Sequence, residues 1–149
     1  MTALTVIDSF INFKRIAVVG VSRKNKFGNV IYKEMASKGY AVTPVNPNLE
    51  TFENATCYPT LEAIEHPVEG AVICVKKDKV LDVLNRAENA NIRYVWIQQG
   101  AGSDEAKAFC DAHQLNAVFG QCILMHAKPV KGLHAIHRFF WRLYMGLSS

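Results

Sequence analysis

The densest chemistry in the chain lies in the stretch GVSRKNKFG, from Gly20 to Gly28. Its glycines let a backbone approach a ligand closely, the Ser22 hydroxyl can donate a hydrogen bond, and Arg23, Lys24 and Lys26 supply positive charge. That set suits a phosphate or pyrophosphate. An apolar run, Ile16 to Val19, precedes it, and an amphipathic run opens at Gly28. A buried strand feeding a helix is expected, and the first N–H groups of such a helix lack internal partners and attract anions. Gly20, Ser22, Lys26, Phe27 and Gly28 are therefore candidate cofactor-binding residues.

The elements that must position this turn follow from the hydropathy pattern. After the first strand at Ile16–Val19 comes a helix near Gly28–Ser37, stopped by Lys38-Gly39. Strands are predicted at Tyr40–Val45, Ala71–Val75, Tyr94–Ile97 and Ala117–Phe119. Between them fall a short helix at Thr60–Glu65 with Thr60 as a cap, and helices at Lys79–Ala90 and Ser103–His113, the last capped by Ser103. Alternating fully apolar strands and helices predict an α/β, Rossmann-like, doubly wound parallel sheet of about five strands. Residues 1–131 form that domain in this reading, and residues 132–149 a C-terminal amphipathic helix with Leu133, Ile136, Phe140, Leu143 and Tyr144 on one face. The tail is expected to dock on its own domain or, as a homodimer contact, on a second copy.

Ligands of such sheets sit beyond the carboxyl ends of the strands. The segments expected there are Gly20–Gly28, Asn46–Asn48, Lys76–Asp78, Gln98–Ser103 and Gly120–His126. NAD fits them poorly. Gly20 is followed by Val21-Ser22 rather than a second glycine, and the second strand ends in TPVNP with no carboxylate to accept a ribose hydroxyl. No GK[ST] follows the glycines, which excludes a Walker A loop.

Length and composition bound the remaining choices. The 149 residues carry a formal charge of +4, 50% hydrophobic and 20% charged residues, which is a globular composition and fits an anionic small molecule. No run reaches the roughly 18 apolar residues of a membrane span, and no signal peptide is evident, so stable membrane insertion is not expected. Cys57, Cys74, Cys110 and Cys122 show neither a CxxC pair nor zinc spacing, and read as free thiols in a cytoplasmic protein. His134 and His137, three apart, have no further ligand beside them, so no metal site is predicted.

The segments VGVSRKNKFGNVIYKEM, GYAVTPVNP and YVWIQQGAGSDEA, with Cys122-Ile123 after them, resemble the single-domain coenzyme A-binding proteins. These are similar to the CoA-binding domain of the succinyl-CoA synthetase alpha subunit. The resemblance runs from about Ile11 to His126 and implies a Rossmann-type fold, CoA as ligand and a cytoplasmic location, but no reaction. It implies that Asn46 and Pro47 form a wall for the adenosine part. Val75 and Lys76 suit an adenine ring and its ribose phosphate, and Gln99 and Gly100 the pantetheine path. The chain departs from the family at Gly120 and Gln121, where members often carry an Asp-Arg pair.

The reading that follows is a protein binding CoA or acyl-CoA, without its own catalytic machinery and without a nucleic-acid partner. An NAD(P)-dependent oxidoreductase or an acyl-CoA ligase component using the same cleft is the alternative, and an interaction protein acting through its basic tail is a third class. No acid–base constellation surrounds the rim except a Cys122–His126 pair. Cys122 is expected on the rim that the pantetheine arm follows, where it could form a mixed disulfide with oxidised CoA.

Overall fold

The structure, a computed structural model, describes residues 2–129. The expected tail helix at 132–149, its docking or dimer role, and the His134/His137 pair lie outside the described residues.

Among the described residues, seven strands and four helices follow in order. They are α1 (Ala3–Ile11), β1 (Arg15–Val19), α2 (Phe27–Ser37), β2 (Ala41–Val45), β3 (Thr51–Phe52) and β4 (Ala55–Thr56). Then come β5 (Gly70–Ile73), α3 (Lys77–Asn89), β6 (Tyr94–Gln98), α4 (Asp104–Ala112) and β7 (Asn116–Gln121). Short 3-10 turns occupy Leu61–Ala63 and Ile123–Met125. The main sheet is five-stranded, in the order β2-β1-β5-β6-β7, with every pair parallel. This is the predicted Rossmann-like α/β sheet.

Its strands are apolar because both faces are covered. Phe10, Ile16, Val18, Ile31, Met35, Val72 and Trp96 join α1 and α2 to one face. Ala17, Ile73, Val80, Leu84, Val95, Ile97 and Cys110 join α3 and α4 to the other. Pro44 lies within β2, which is permitted because β2 is an edge strand. Its carbonyl turns away from β1 to accept from the Tyr58 N–H at 3.1 Å, so the missing N–H falls on the outer side of the sheet.

Three features differ from the sequence reading. The N-terminal α1 was not predicted; Thr2 caps it by accepting from the Thr5 N–H, and Val6, Ile7 and Phe10 form its buried stripe. Phe10 is fully buried, edge-on to Trp96 at 5.5 Å, and occupies the space beside Gly70 where a β-carbon would stand 2.7 Å from its ring. The β3–β4 hairpin was also not predicted. Glu53 and Asn54 make its turn at φ +49° and +65°, a primed geometry usually signalled by glycine. Third, the Thr60–Glu65 segment forms only the 3-10 turn at Leu61–Ala63, and the Thr60 side chain makes no capping hydrogen bond. By contrast Ser103 caps α4 as expected, accepting from the Ala106 N–H at 3.1 Å.

Candidate functional site

The strand order reverses between β1 and β5, and the loops after these strands are held close together. Gly20 N–H donates to the Val45 carbonyl at 3.2 Å, and Cys74 N–H donates to the Val19 carbonyl at 2.8 Å. Gly20 adopts φ +118°, and a β-carbon there would stand 2.3 Å from the Cys74 carbonyl oxygen. Only glycine fits that position. A β-carbon on Gly28 would stand 2.4 Å from the Gly20 carbonyl oxygen, so this glycine is what lets α2 start against the end of β1.

The turn between them is locked by a residue that sequence reasoning missed. Asn29, 8% exposed, accepts from the Ser22 N–H at 2.8 Å and donates to the Ser22 and Lys24 carbonyls at 2.8 and 3.0 Å. A polar residue on the buried side of an amphipathic helix was the available signal. Asn46 Nδ2 donates to the Val21 carbonyl, tying the end of β2 to the same turn, while its Oδ1 accepts from the Asn48 N–H at 2.7 Å. Asn46 therefore braces the turn. Ser22 Oγ accepts from the Lys24 N–H at 3.2 Å, which leaves the hydroxyl proton to point elsewhere. Lys26 precedes α2 as its N-cap without a side-chain capping bond, and it is exposed, as is Phe27.

At the ends of β1 and β2 lies a cleft of about 220 Å³. Val19, Val45, Pro47, Leu61, Val75 and Val83 give it an apolar lining, and Lys79, Asp82 and Arg86 stand in its wall. Arg86 is occupied by Asp82 at 3.2 Å and Glu62 at 3.1 Å. Pro47 and Val75 line the same cleft; Val19, Val45 and Lys79, which also line it, were not named from the sequence because they read as ordinary strand and helix residues. Lys76 is exposed at the N-cap of α3 and does not line this cleft. A second, more open cleft of about 570 Å³ follows along the rim, lined by Lys77, Gly100, Gly102, Ser103, Lys107, Phe119 and Gly120. Gln99 is exposed beside it.

A glycine turn and an apolar cleft thus lie at the carboxyl ends of the strands flanking the switch point. The CoA binding domain profile matches residues 14–128. The chain belongs to the CoA-binding domain family. YneT of Bacillus subtilis (strain 168) is 26% identical over 111 residues, 74% of this chain and 82% of that protein. A conserved hypothetical protein of Pyrococcus furiosus is 37% identical with a TM-score of 0.71, covering 74% of this chain and 97% of its own. The dinucleotide-forming acetyl-coenzyme A synthetase 1 of Ca. Korarchaeum cryptofilum is 26% identical with a TM-score of 0.67, over 75% of this chain but 26% of that one.

In this CoA-binding domain, Cys122 does not share a sheet face with Pro47 and Val75. It packs with Trp96 and Cys74 on the α1–α2 side, whereas Val75 packs on the α3–α4 side. Its Sγ accepts from Gln98 Nε2 at 3.0 Å, and Gln98 Oε1 accepts from the Ile123 N–H at 3.2 Å. Gln98 is 4% exposed, so it pins the corner after β7. His126 instead shares a hydrogen bond with Gln121 Oε1 at 3.1 Å and leans on the Trp96 ring. Among the described residues no group of three or more His, Cys, Asp or Glu is placed to hold a metal ion, and no helix is long and apolar enough to cross a membrane. The His113–Glu88 pair, 2.7 Å, joins the C-terminal ends of α4 and α3, at the opposite end of the sheet from the clefts.

Proposed function

We propose that this protein binds coenzyme A across the carboxyl edge of its sheet and has no catalytic machinery of its own. In this reading the adenine lies in the apolar cleft of Val19, Pro47 and Val75, with Lys79 beside its phosphorylated ribose. The pyrophosphate takes the Ser22–Gly28 turn and the start of α2, with Lys26 as its cation. The pantetheine arm then runs along the rim past Gln99 and Gly100.

One observation carries the reading: an apolar cleft of about 220 Å³ opens at Val19, the end of β1, and the turn that follows Val19 leads into a helix start that no side chain caps. An adenine and an anionic phosphate need that pair of environments. Two details favour CoA over NAD. The end of β2 offers Asn46 rather than a carboxylate, and its amide nitrogen is committed to the Val21 carbonyl. Native mass spectrometry and thermal shift with CoA, NAD, NADP and ATP test the assignment. CoA alone should raise the melting temperature, by an amount equal to about 2.7 kcal/mol at a hundredfold excess over Kd. A shift with NAD and none with CoA would falsify it.

A further inference from the structure

At the β7 edge of the sheet, α4 carries charges set against its own dipole. Lys107 stands near the start of that helix and Asp111 in its last turn, the reverse of the favoured arrangement. Neither belongs to an ion pair among the described residues. Both line a groove of about 470 Å³ that is also lined by Ala3 and Val6 of α1 and by Ala117 and Phe119 of β7. The strand itself has an open side. The Asn116 N–H donates to the Arg93 carbonyl at 2.8 Å, towards β6, so strand alternation turns the backbone groups of Ala117 and Phe119 outward. No proline interrupts β7, and no strand pairs with its outer side among the described residues. Such a row of unpaired donors and acceptors is a template for another strand.

We propose that β7 is the centre of a twofold interface with a second copy of this chain. The proposal goes beyond ligand binding and does not depend on it. Two β7 strands related by an axis through Val118 run antiparallel. Ala117 then faces the partner's Phe119, and the two residues exchange both backbone hydrogen bonds. The same axis lays α4 antiparallel to the partner's α4. Lys107 is level with Phe119, its Nζ 5.8 Å from the ring centre. Asp111 follows Cys110, whose carbonyl accepts from the Leu115 N–H at 2.9 Å, and so lies level with the start of β7. Across the axis Lys107 therefore meets the partner's Asp111, and Asp111 meets the partner's Lys107. This self-complementarity is what commits the groove to a second copy rather than to an unrelated partner. The two carboxyl edges point in opposite directions, which leaves each Pro47–Val75 cleft open.

Sedimentation equilibrium of the full chain from micromolar to submillimolar concentration, with amide hydrogen exchange at both ends of that range, tests the interface. Wild type should be dimeric at the upper end, where the Ala117 and Phe119 amides should exchange more slowly than on dilution. Lys107→Asp and Asp111→Lys, both at exposed helix positions, set like charges against each other across the axis. Each should raise the dimer Kd at least about tenfold. The double variant restores opposite charges with their positions exchanged, and should recover wild-type association to within about threefold. A monomer throughout the range, an assembly larger than two, a dimer indifferent to the single reversals, or a double variant no tighter than the singles overturns the proposal. Ala117 and Phe119 amides equally protected at every concentration overturn it too, because the chain itself would then cover this edge. None of these outcomes involves CoA, so the ligand assignment stands or falls separately.

Discussion

The carbonyl oxygen of Gly20 fills the space that a side chain on Gly28 would need, 2.4 Å from the β-carbon position. The two glycines thus bring a strand end and a helix start into backbone contact, and the Ser22–Asn29 hydrogen bonds close the turn between them.

Gly28→Ala should therefore act on the fold before it acts on any ligand. The added methyl meets backbone, which cannot rotate away, so a loss of about 1–3 kcal/mol is expected from overpacking. Urea denaturation without ligand checks this. Wild-type stability in the variant would mean that the glycine is kept open for a ligand only.

Lys26→Ala should do the reverse. The side chain is exposed and makes no capping bond, so stability should stay within about 0.5 kcal/mol. CoA affinity should fall by about 1–3 kcal/mol, the range for a lost charge-assisted hydrogen bond. Calorimetry on the folded variant measures it, and unchanged affinity places the pyrophosphate away from α2.

Val75→Asp puts a carboxylate into the apolar cleft, facing the anionic ligand. Val75 is half-buried at its edge, so the protein should still fold. CoA affinity should drop at least about tenfold through desolvation and repulsion. Equal affinity would move the adenine out of this cleft.

Lys38 gives a pH signature. Burial pushes it down to about 8 from 10.5. Below pH 8 both folded and unfolded chains carry its proton, and the folded state bears the full cost of the buried charge. Between about 8 and 10.5 the unfolded chain binds more protons, so stability rises with pH across that window. Cys74 and Cys110, pushed up to about 12 and about 11 from 9.0, lower stability only as pH passes 9. Under reducing conditions the denaturation midpoint should climb from pH 8 to 9 in wild type and stay level in Lys38→Met. The same climb in the variant would assign it to another group. At pH 7 Lys38→Met should also be more stable, by about 1–3 kcal/mol, since an unpaired buried charge is gone.

Much of this was legible in the sequence, for reasons that differ by element. The apolar strands and the Lys38-Gly39 stop showed themselves because burial on both sides and a φ of +97° at Gly39 leave few residue choices. The turn between β1 and α2 showed itself through its glycines. The hairpin did not, because Glu53 and Asn54 adopt positive φ without glycine. Cleft residues such as Val19 and Lys79 were hidden because their types equally serve a strand and a helix surface. Asn29 was signalled only by being polar on the buried side of its helix, and nothing in the sequence announced Gln98, whose bonds reach from β6 to the corner after β7. Lys38 reads as a solvated helix-end cation, and only its burial makes it notable.

The most direct measurement is an amide NMR titration of the protein with CoA, with NAD as the control. The account predicts shifts concentrated on Ser22, Asn29, Asn46, Val75 and Gly100 as CoA is added, saturating with one CoA bound per chain. It predicts little change with NAD. Shifts confined to other surfaces, or none with CoA at millimolar concentration, would contradict it.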